Sequence, residues 1–259
     1  MQHPTAMQLE GKVAYVTGAA SGMGYEIVSL FAAHGATVAL ADVQEGRVTE
    51  AVEKLRGDGH EALGYRVDVT DRATVEESVR DVERRTDGID IVVNCAGMAH
   101  EFTPIEKIDD GLYRRVMDVN VDGVFHVCRA VVPALKERRR GSIINIASVV
   151  AVRPRPGLTA YVAAKNAVIG MTKSLALETA ADGVRVNCIA PGAAETPMLN
   201  QFIGESNDIA KGREMYVNSI PMGRLADPGD IARGALYLAS DNAGFVTGEV
   251  IAIDGGRSV

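Results

Sequence analysis

The sequence predicts an α/β fold, a doubly wound parallel sheet of about seven strands with helices on both faces. Short β-rich runs alternate with longer helical patterns from near the start of the chain to its end. Several of these runs are continuously apolar, as strands covered on both faces must be, and that is the pattern of a parallel sheet. The first run also passes directly into a glycine-rich turn that opens a helix, the kind of junction at which such folds bind an anion.

Taken in order, the first strand spans 12–17 and its helix about 23–34. The second strand, 37–42, closes on Ala39-Leu40-Ala41-Asp42 and is followed by a helix at 45–57. A third strand at 62–68 precedes a helix at 71–86, with Asp71 as N-cap and Val75 and Val79 on one face. The fourth strand, 89–94, leads to a long helix at 111–138 whose basic end, Arg138-Arg139-Arg140, reads as solvated charge favoured by the helix dipole. The fifth strand, 142–147, is followed by a helix at 157–181. A sixth strand at 184–190 and a helix at 227–240, started by Asp227-Pro228 as N-cap and N1 proline, lead to the last strand at 249–253.

With 259 residues, 47% of them hydrophobic, and no linker-like stretch, a single domain over 1–259 is expected. Residues 1–8 are expected to form a poorly structured extension, since they lack the basic and apolar regions of a secretory signal. A net charge of −7 argues against nucleic acid as a partner, and no apolar run reaches the roughly 18 residues of a membrane helix. Cys95, Cys128 and Cys188 are widely spaced in apolar stretches, so they read as buried reduced thiols of a cytoplasmic protein with no metal site.

Tyr161 and Lys165 stand four residues apart, on one face of a helix, where an ammonium can favour the ionised phenol. Lowering a phenol from its usual 10 by about three units takes roughly 4 kcal/mol. Ser148 lies thirteen residues upstream of Tyr161, just after an apolar strand. The turn Thr17-Gly18-Ala19-Ala20-Ser21-Gly22-Met23-Gly24 supplies both a tight bend and backbone N–H groups for a pyrophosphate, with Gly18, Ser21, Gly22, Met23 and Gly24 as its candidate contacts. Asp42, followed by Val43, falls 18 residues after Gly24, about where a carboxylate meets the adenosine ribose and repels a 2′-phosphate. That predicts NAD over NADP; the alternative role of Asp42, a helix N-cap, leaves the choice open. Arg47 is the nearest cation and belongs to the following helix.

Together these motifs resemble the short-chain dehydrogenase/reductase family, in its short single-domain, NAD-preferring branch with a Rossmann-type fold, over essentially the whole chain. The resemblance rests on Thr17, Gly18, Gly22 and Gly24; on Asp42; on Asp68-Val69; on Asn94-Cys95-Ala96-Gly97, where cysteine replaces the family's second asparagine; and on Asn120, Ser148, Tyr161 and Lys165. Pro191-Gly192 through Ala194 to Thr196 resembles the segment that cradles the nicotinamide carboxamide, and Ile253-Asp254-Gly255-Gly256 the C-terminal strand and turn.

The resemblance implies an NAD(H)-dependent oxidoreductase interconverting a secondary alcohol and its ketone. It assigns Tyr161 as acid/base, its pKa lowered by Lys165 and by the positive ring of the oxidised cofactor, Ser148 to the substrate oxygen, Lys165 also to the nicotinamide ribose, and Asn120 to a water linking Lys165 to solvent. Asn94, Ala96 and Gly97 are implied as further cofactor contacts. A 3-oxoacyl-thioester reductase of the acyl-carrier-protein type is the main competing activity, disfavoured by Asp42, and a non-catalytic cofactor sensor a more distant one.

The substrate pocket is expected from Met98, Val149, Val150, Met198, Leu199 and Phe202, with a substrate-binding segment at about 193–220, and its apolar lining suits an uncharged substrate. Arg153 and Arg155 either meet an anionic carrier at the rim or are solvated. The two long helices carry apolar residues, Val124, Val127 and Val131 and then Val168, Met171 and Leu175, and the resemblance, whose members pair these helices across a two-fold axis, implies a homotetramer, or failing that a dimer.

Overall fold

The computed structural model describes residues 7–203 and 208–259. Residues 1–6 of the expected N-terminal extension and 204–207 of the expected substrate segment lie outside them. Seven parallel strands form one sheet: β1 (Val13–Thr17), β2 (Thr37–Asp42), β3 (Ala62–Arg66), β4 (Ile91–Asn94), β5 (Gly141–Ile146), β6 (Val184–Pro191) and β7 (Val250–Ile253). Their order is β3-β2-β1-β4-β5-β6-β7, so the winding direction reverses between β1 and β4. A crevice at the C-terminal ends of the strands follows at that point.

Successive side chains of each strand feed opposite faces of the sheet. Ala14, Val16, Val38, Leu40, Val93 and Ile144 pack under α1 (Gly22–Ala33), α2 (Glu45–Gly57) and α9 (Pro228–Ala239). Val13, Tyr15, Ala39, Val92, Ile143 and Val186 pack under α3 (Arg72–Arg85), α5 (Gly123–Arg138) and α6 (Thr159–Thr179). Asp71 caps α3 by accepting from the Ala73 N–H, and Asp227 with Asp230 forms a reciprocal capping box ahead of Pro228. The expectation of strands covered on both faces holds for β1, β2 and β4, whereas the edge strand β3 alternates in exposure.

Four sequence expectations are corrected. The helix expected over 111–138 is two helices, α4 (Asp110–Met117) and α5, joined by a π turn at Asp118–Asp122. The cause lies at its centre, where Asn120 donates through Nδ2 to the carbonyls of Val116 and Met98, 2.8 Å each, bending the ladder around an inward-turned amide. The basic run at the end of α5 is not merely solvated. Arg138 donates to the Ile89 carbonyl and, at 2.5 Å, to the buried carboxylate of Asp90, which Arg140 also approaches at 3.1 Å. The strand itself begins later than expected, at Ile91, although the Asp90 backbone still bonds to Val13 and Ser142 on the neighbouring strands. Finally, Val124, Val127, Val131 and Val168 face the sheet as core, and Met171 and Leu175 pack against that layer. Among the exposed apolar groups are Phe125 on α5, Leu177 on α6 and Phe245 near β7.

Candidate active site

A cleft of about 660 Å3 runs along the C-terminal ends of β1, β2 and β4. Gly18 and Gly22 adopt φ of +64° and +54°, which L side chains rarely adopt. A Cβ at Gly24 would lie 2.1 Å from the Gly18 carbonyl oxygen, and one at Gly18 would lie 2.8 Å from Ala96 Cα. The glycines therefore let the turn, the start of α1 and the segment after β4 close on one another. Thr17 Oγ1 fixes that approach by accepting from the N–H groups of Cys95 and Ala96, 3.1 Å each. At the head of α1, Ser21 is the N-cap but makes no side-chain capping bond, so the first N–H groups face the cleft without a capping side chain.

The cleft wall includes Gly18, Ser21, Gly22, Met23, Gly24, Asp42, Val43, Asp68, Val69, Ala96, Gly97 and Thr196, all expected from the sequence. Asp42 is buried, and its carboxylate accepts from the Ala20 N–H at 3.2 Å and the Gln44 N–H at 3.0 Å. It thus anchors the glycine turn to the end of β2 and presents negative charge at the adenosine end of the cleft. Gln44, Arg47, Arg115, Asp118 and Gln201 line the same wall and were not foreseen. Arg47 is in the first turn of α2 and shares the cleft wall with Asp42, a placement that sequence spacing alone did not reveal.

Asn94 is a correction. Its Nδ2 donates to Asn145 Oδ1 at 2.8 Å and reaches Cys128 Sγ at 3.5 Å, so it ties β4 to β5 inside the sheet and is not on the cleft wall. Met98, expected in the substrate pocket, lines the cofactor cleft instead. Cys95 is a third departure, since it is half-buried on that same wall and not in the deep core; burial pushes its thiol up to about 12.

A second, smaller cavity opens beyond the ends of β5 and β6. Ser148, Val149, Val150, Tyr161, Leu199 and Phe202 form one side of it, and Pro191, Gly192 and Ala194 the floor. Pro191, Gly192 and Ala194 were expected at the cofactor; they sit here, next to it. Met23, Thr196 and Met198 belong to both spaces, so the two cavities abut there. Tyr161 meets Phe202 edge-on, with ring centroids 5.2 Å apart. Also on the wall, unforeseen, are Leu158, Tyr216 and Arg257, and Arg155 is on it too.

Lys165 is buried behind Tyr161, donating to the Ile146 carbonyl at 3.0 Å and lying 5.6 Å from the phenol ring centroid. Burial pulls its ammonium down to about 8. The expected lowering of Tyr161 does not occur in the protein by itself: burial pushes the phenol up, and its hydrogen bond with Ser148 opposes this only in part. A phenol surrounded by apolar side chains loses the water that stabilises its anion. Asn120, fully buried, accepts from the Met98 N–H at 3.3 Å as well as donating twice. Both its amide hydrogens are thus spent on carbonyls, and its fixed role is to tie the segment after Gly97 to the π turn. A Cβ on Gly97 would stand 3.1 Å from Asn120 Oδ1 and 3.5 Å from Lys165 Nζ, so the chain passes closely over both.

The cradle fits a dinucleotide: positive-φ glycines that admit backbone to a pyrophosphate, a helix N-terminus open to the cleft, and a carboxylate at the far end. A family model described as enoyl-(acyl carrier protein) reductase matches residues 18–258. The chain is 41% identical, over 96% of its length and 99% of the relative's, to a 3-oxoacyl-(acyl-carrier-protein) reductase of Thermotoga maritima. It is 38% identical to a 4-formylbenzenesulfonate dehydrogenase of Comamonas testosteroni, covering 98% of this chain and 100% of that one. Among solved structures, a 3-ketoacyl-(acyl-carrier-protein) reductase from Brucella melitensis complexed with NADH superposes with a TM-score of 0.90 at 37% identity, covering 97% of this chain and 100% of that one. Levodione reductase does so with a TM-score of 0.93 at 32% identity, covering 96% and 98%.

Proposed function

The chain belongs to the short-chain dehydrogenase/reductase family, and from that premise we propose that it is an NAD(H)-dependent oxidoreductase interconverting a secondary alcohol and its ketone, with Tyr161 as acid/base. The observation that carries this reading is the junction at Met23, Thr196 and Met198, where the cavity holding Ser148 and Tyr161 abuts the glycine-lined cleft. When bound, the nicotinamide supplies or accepts the hydride at the carbon bearing the oxygen.

Tyr161 holds the proton at its phenolic oxygen. The rise that burial imposes keeps it a neutral acid, the form that donates to a ketone oxygen as that oxygen gains charge. Ser148 donates to the same oxygen and fixes its position. Oxidation of an alcohol needs the reverse proton transfer, and Lys165, behind the ring, is the cation the chain supplies to favour it. Lys165 and the backbone at Gly97 hold the ribose, with Asn120 positioning the segment from Gly97 to Met98 and the Ile146 carbonyl positioning Lys165. Gly18, Ser21, Gly22, Met23 and Gly24 hold the pyrophosphate.

NAD is favoured over NADP because the Asp42 carboxylate on the cleft wall would repel a 2′-phosphate; Arg47 on the same wall is the opposing charge. The structural neighbour from Brucella melitensis, complexed with NADH, supports the same choice. Fluorescence titration tests it: NADH should bind at least about tenfold tighter than NADPH, and Asp42→Ala should narrow the gap. Tighter NADPH would overturn it. Replacing Tyr161 with Phe tests the chemistry, since unchanged turnover on a good substrate would sink the acid/base role.

A second reading, reduction of 3-oxoacyl thioesters, is favoured by the activities of the 3-oxoacyl reductases to which the chain is similar; Asp42 weighs against it. For assembly the reading is a homotetramer, supported by the exposed apolar groups Phe125, Leu177 and Phe245, and the reading for location is cytoplasmic. Light scattering decides between tetramer, dimer and monomer. Among the described residues no helix is long and apolar enough to cross a membrane.

A further inference from the structure

Three segments far apart in sequence converge on the cavity wall that carries Tyr161: the loop after β5 brings Arg155, α8 (Ile209–Asn218) brings Tyr216, and the turn after β7 brings Arg257. Tyr216 is buried, and both guanidinium groups stack on its ring, Arg155 at 4.9 Å and Arg257 at 5.3 Å from the centroid. Arg155 also donates to the Tyr216 hydroxyl, and Arg153 donates to the Arg257 carbonyl. Tyr216, Arg155 and Arg257 line the same cavity as Tyr161, so the cationic pair and the reacting phenol share one small space.

Among the described residues the charge there is only partly compensated, by Asp254 near Arg257. Among the described residues, no carboxylate forms an ion pair with Arg153, Arg155 or Arg257, although Arg224 and Arg233 on the adjoining surface share Asp230. Asp254 is the acid beside Arg257, but its two oxygens accept from the N–H groups of Gly256 and Ser258, at 2.9 and 2.8 Å. Those bonds stiffen the C-terminal turn and hold Arg257 against the cavity. Burial, with the like charges of Arg155 and Arg153, pulls the Arg257 guanidinium below its ordinary value. One aromatic face offsets only part of the cost of two crowded, half-buried cations. Forked donors arranged this way match a planar carboxylate.

The geometry points to an anionic substrate: a small oxo acid or hydroxy acid whose carboxylate is held by Arg155 and Arg257 beside Tyr216 while its carbonyl or alcohol carbon lies at Ser148 and Tyr161. This rests on the dehydrogenase reading above and replaces the uncharged substrate that the apolar lining suggested. Val149, Val150, Leu199 and Phe202 then enclose the carbon chain between the two polar ends.

Two measurements test it. In the first, thermal midpoints are recorded with butanoate and with butanamide, with and without NADH. Butanoate should raise the midpoint and butanamide should not; Arg257→Gln and Arg155→Gln should abolish the rise, Arg257→Lys should keep part of it, and Arg213→Gln, outside the cavity, should keep all of it. Equal stabilisation by the amide, no rise with butanoate, or a rise surviving both glutamine variants overturns the proposal. In the second, NADH oxidation is followed with 3-, 4- and 5-oxo acids, their methyl esters and a neutral 3-oxobutanoyl thioester. At least one acid should exceed its ester by about tenfold in kcat/KM, mostly through KM, and Arg257→Gln should bring that ratio near one. Reduction of esters or of the thioester in preference to every acid overturns the anion site and leaves the dehydrogenase reading standing. Failure to bind NADH overturns the dehydrogenase reading, and the butanoate arm without cofactor still decides the arginine pair.

Discussion

Truncating Asn120 to alanine removes three hydrogen bonds at a fully buried position: Nδ2 to the carbonyls of Met98 and Val116 at 2.8 Å, and the Met98 N–H to Oδ1 at 3.3 Å. Each such bond contributes about 1 kcal/mol net, and stranded buried partners add to the loss, so the expected cost is about 2–4 kcal/mol. For a chain of this size that corresponds to a fall in Tm on the order of 10 °C. The same bonds hold the segment from Gly97 to Met98, which forms part of the cofactor wall, so NADH affinity should fall about tenfold as well. Calorimetric melts at neutral pH and a fluorescence titration with NADH read the two effects. Asn120→Asp is the informative control, because it keeps the acceptor for Met98 N–H but turns a carboxylate oxygen toward two carbonyls; it should melt no higher than the alanine variant. A Tm within about 2 °C of wild type for Asn120→Ala would refute the positioning role, and a loss of turnover with stability and NADH affinity intact would assign Asn120 to proton transfer instead.

Gly24→Ala should abolish NADH binding in the same titration, because its Cβ would stand 2.1 Å from a backbone oxygen that no side-chain rotation can move. Cys95 should resist alkylation: raising a thiol from 9.0 to about 12 leaves about a thousandfold less thiolate, so mass spectrometry at pH 7.5 should show it reacting far more slowly than glutathione. Asp230, held at about 2 by Arg224 first and then by its capping bond and Arg233, has a depressed carboxyl, so its stabilisation is present above its ordinary 3.8 and lost as pH falls through 2. Asp230→Asn should therefore cost about 1 kcal/mol at pH 7, after discounting for solvent, and the difference in melting should shrink between pH 4 and pH 2; a constant difference would refute the charge argument.

The order and type of the elements were legible because they are written in local chemistry. Continuous apolar runs mark β1 and β4, the Asp227-Pro228 pair marks the start of α9, and Gly18, Gly22 and Gly24 mark a backbone path only glycine follows. The spacing of Tyr161 and Lys165 likewise places them on one face of α6 whatever surrounds it. Asn120, by contrast, was read within a continuous helix, since nothing nearby in sequence announces that its amide reaches the Met98 carbonyl 22 residues away. Asn94 carried a familiar motif yet points along the sheet to Asn145, a partner set by strand order.

What the sequence alone determined was therefore the α/β architecture, the glycine turn and the identities of Ser148, Tyr161 and Lys165. Only the tertiary structure decided which residues share a cavity and what their environment does to them. Burial is a property of the packed whole, so it pushed Tyr161 up where local spacing with Lys165 predicted a fall. Arg155, Tyr216 and Arg257 meet across about a hundred residues of chain, because three connections happen to end over the same strand tips. The apolar lining read from the sequence suggested an uncharged substrate and left Arg155 either at a carrier or in solvent; the fold stacks Arg155 and Arg257 on Tyr216 in the cavity that holds the phenol.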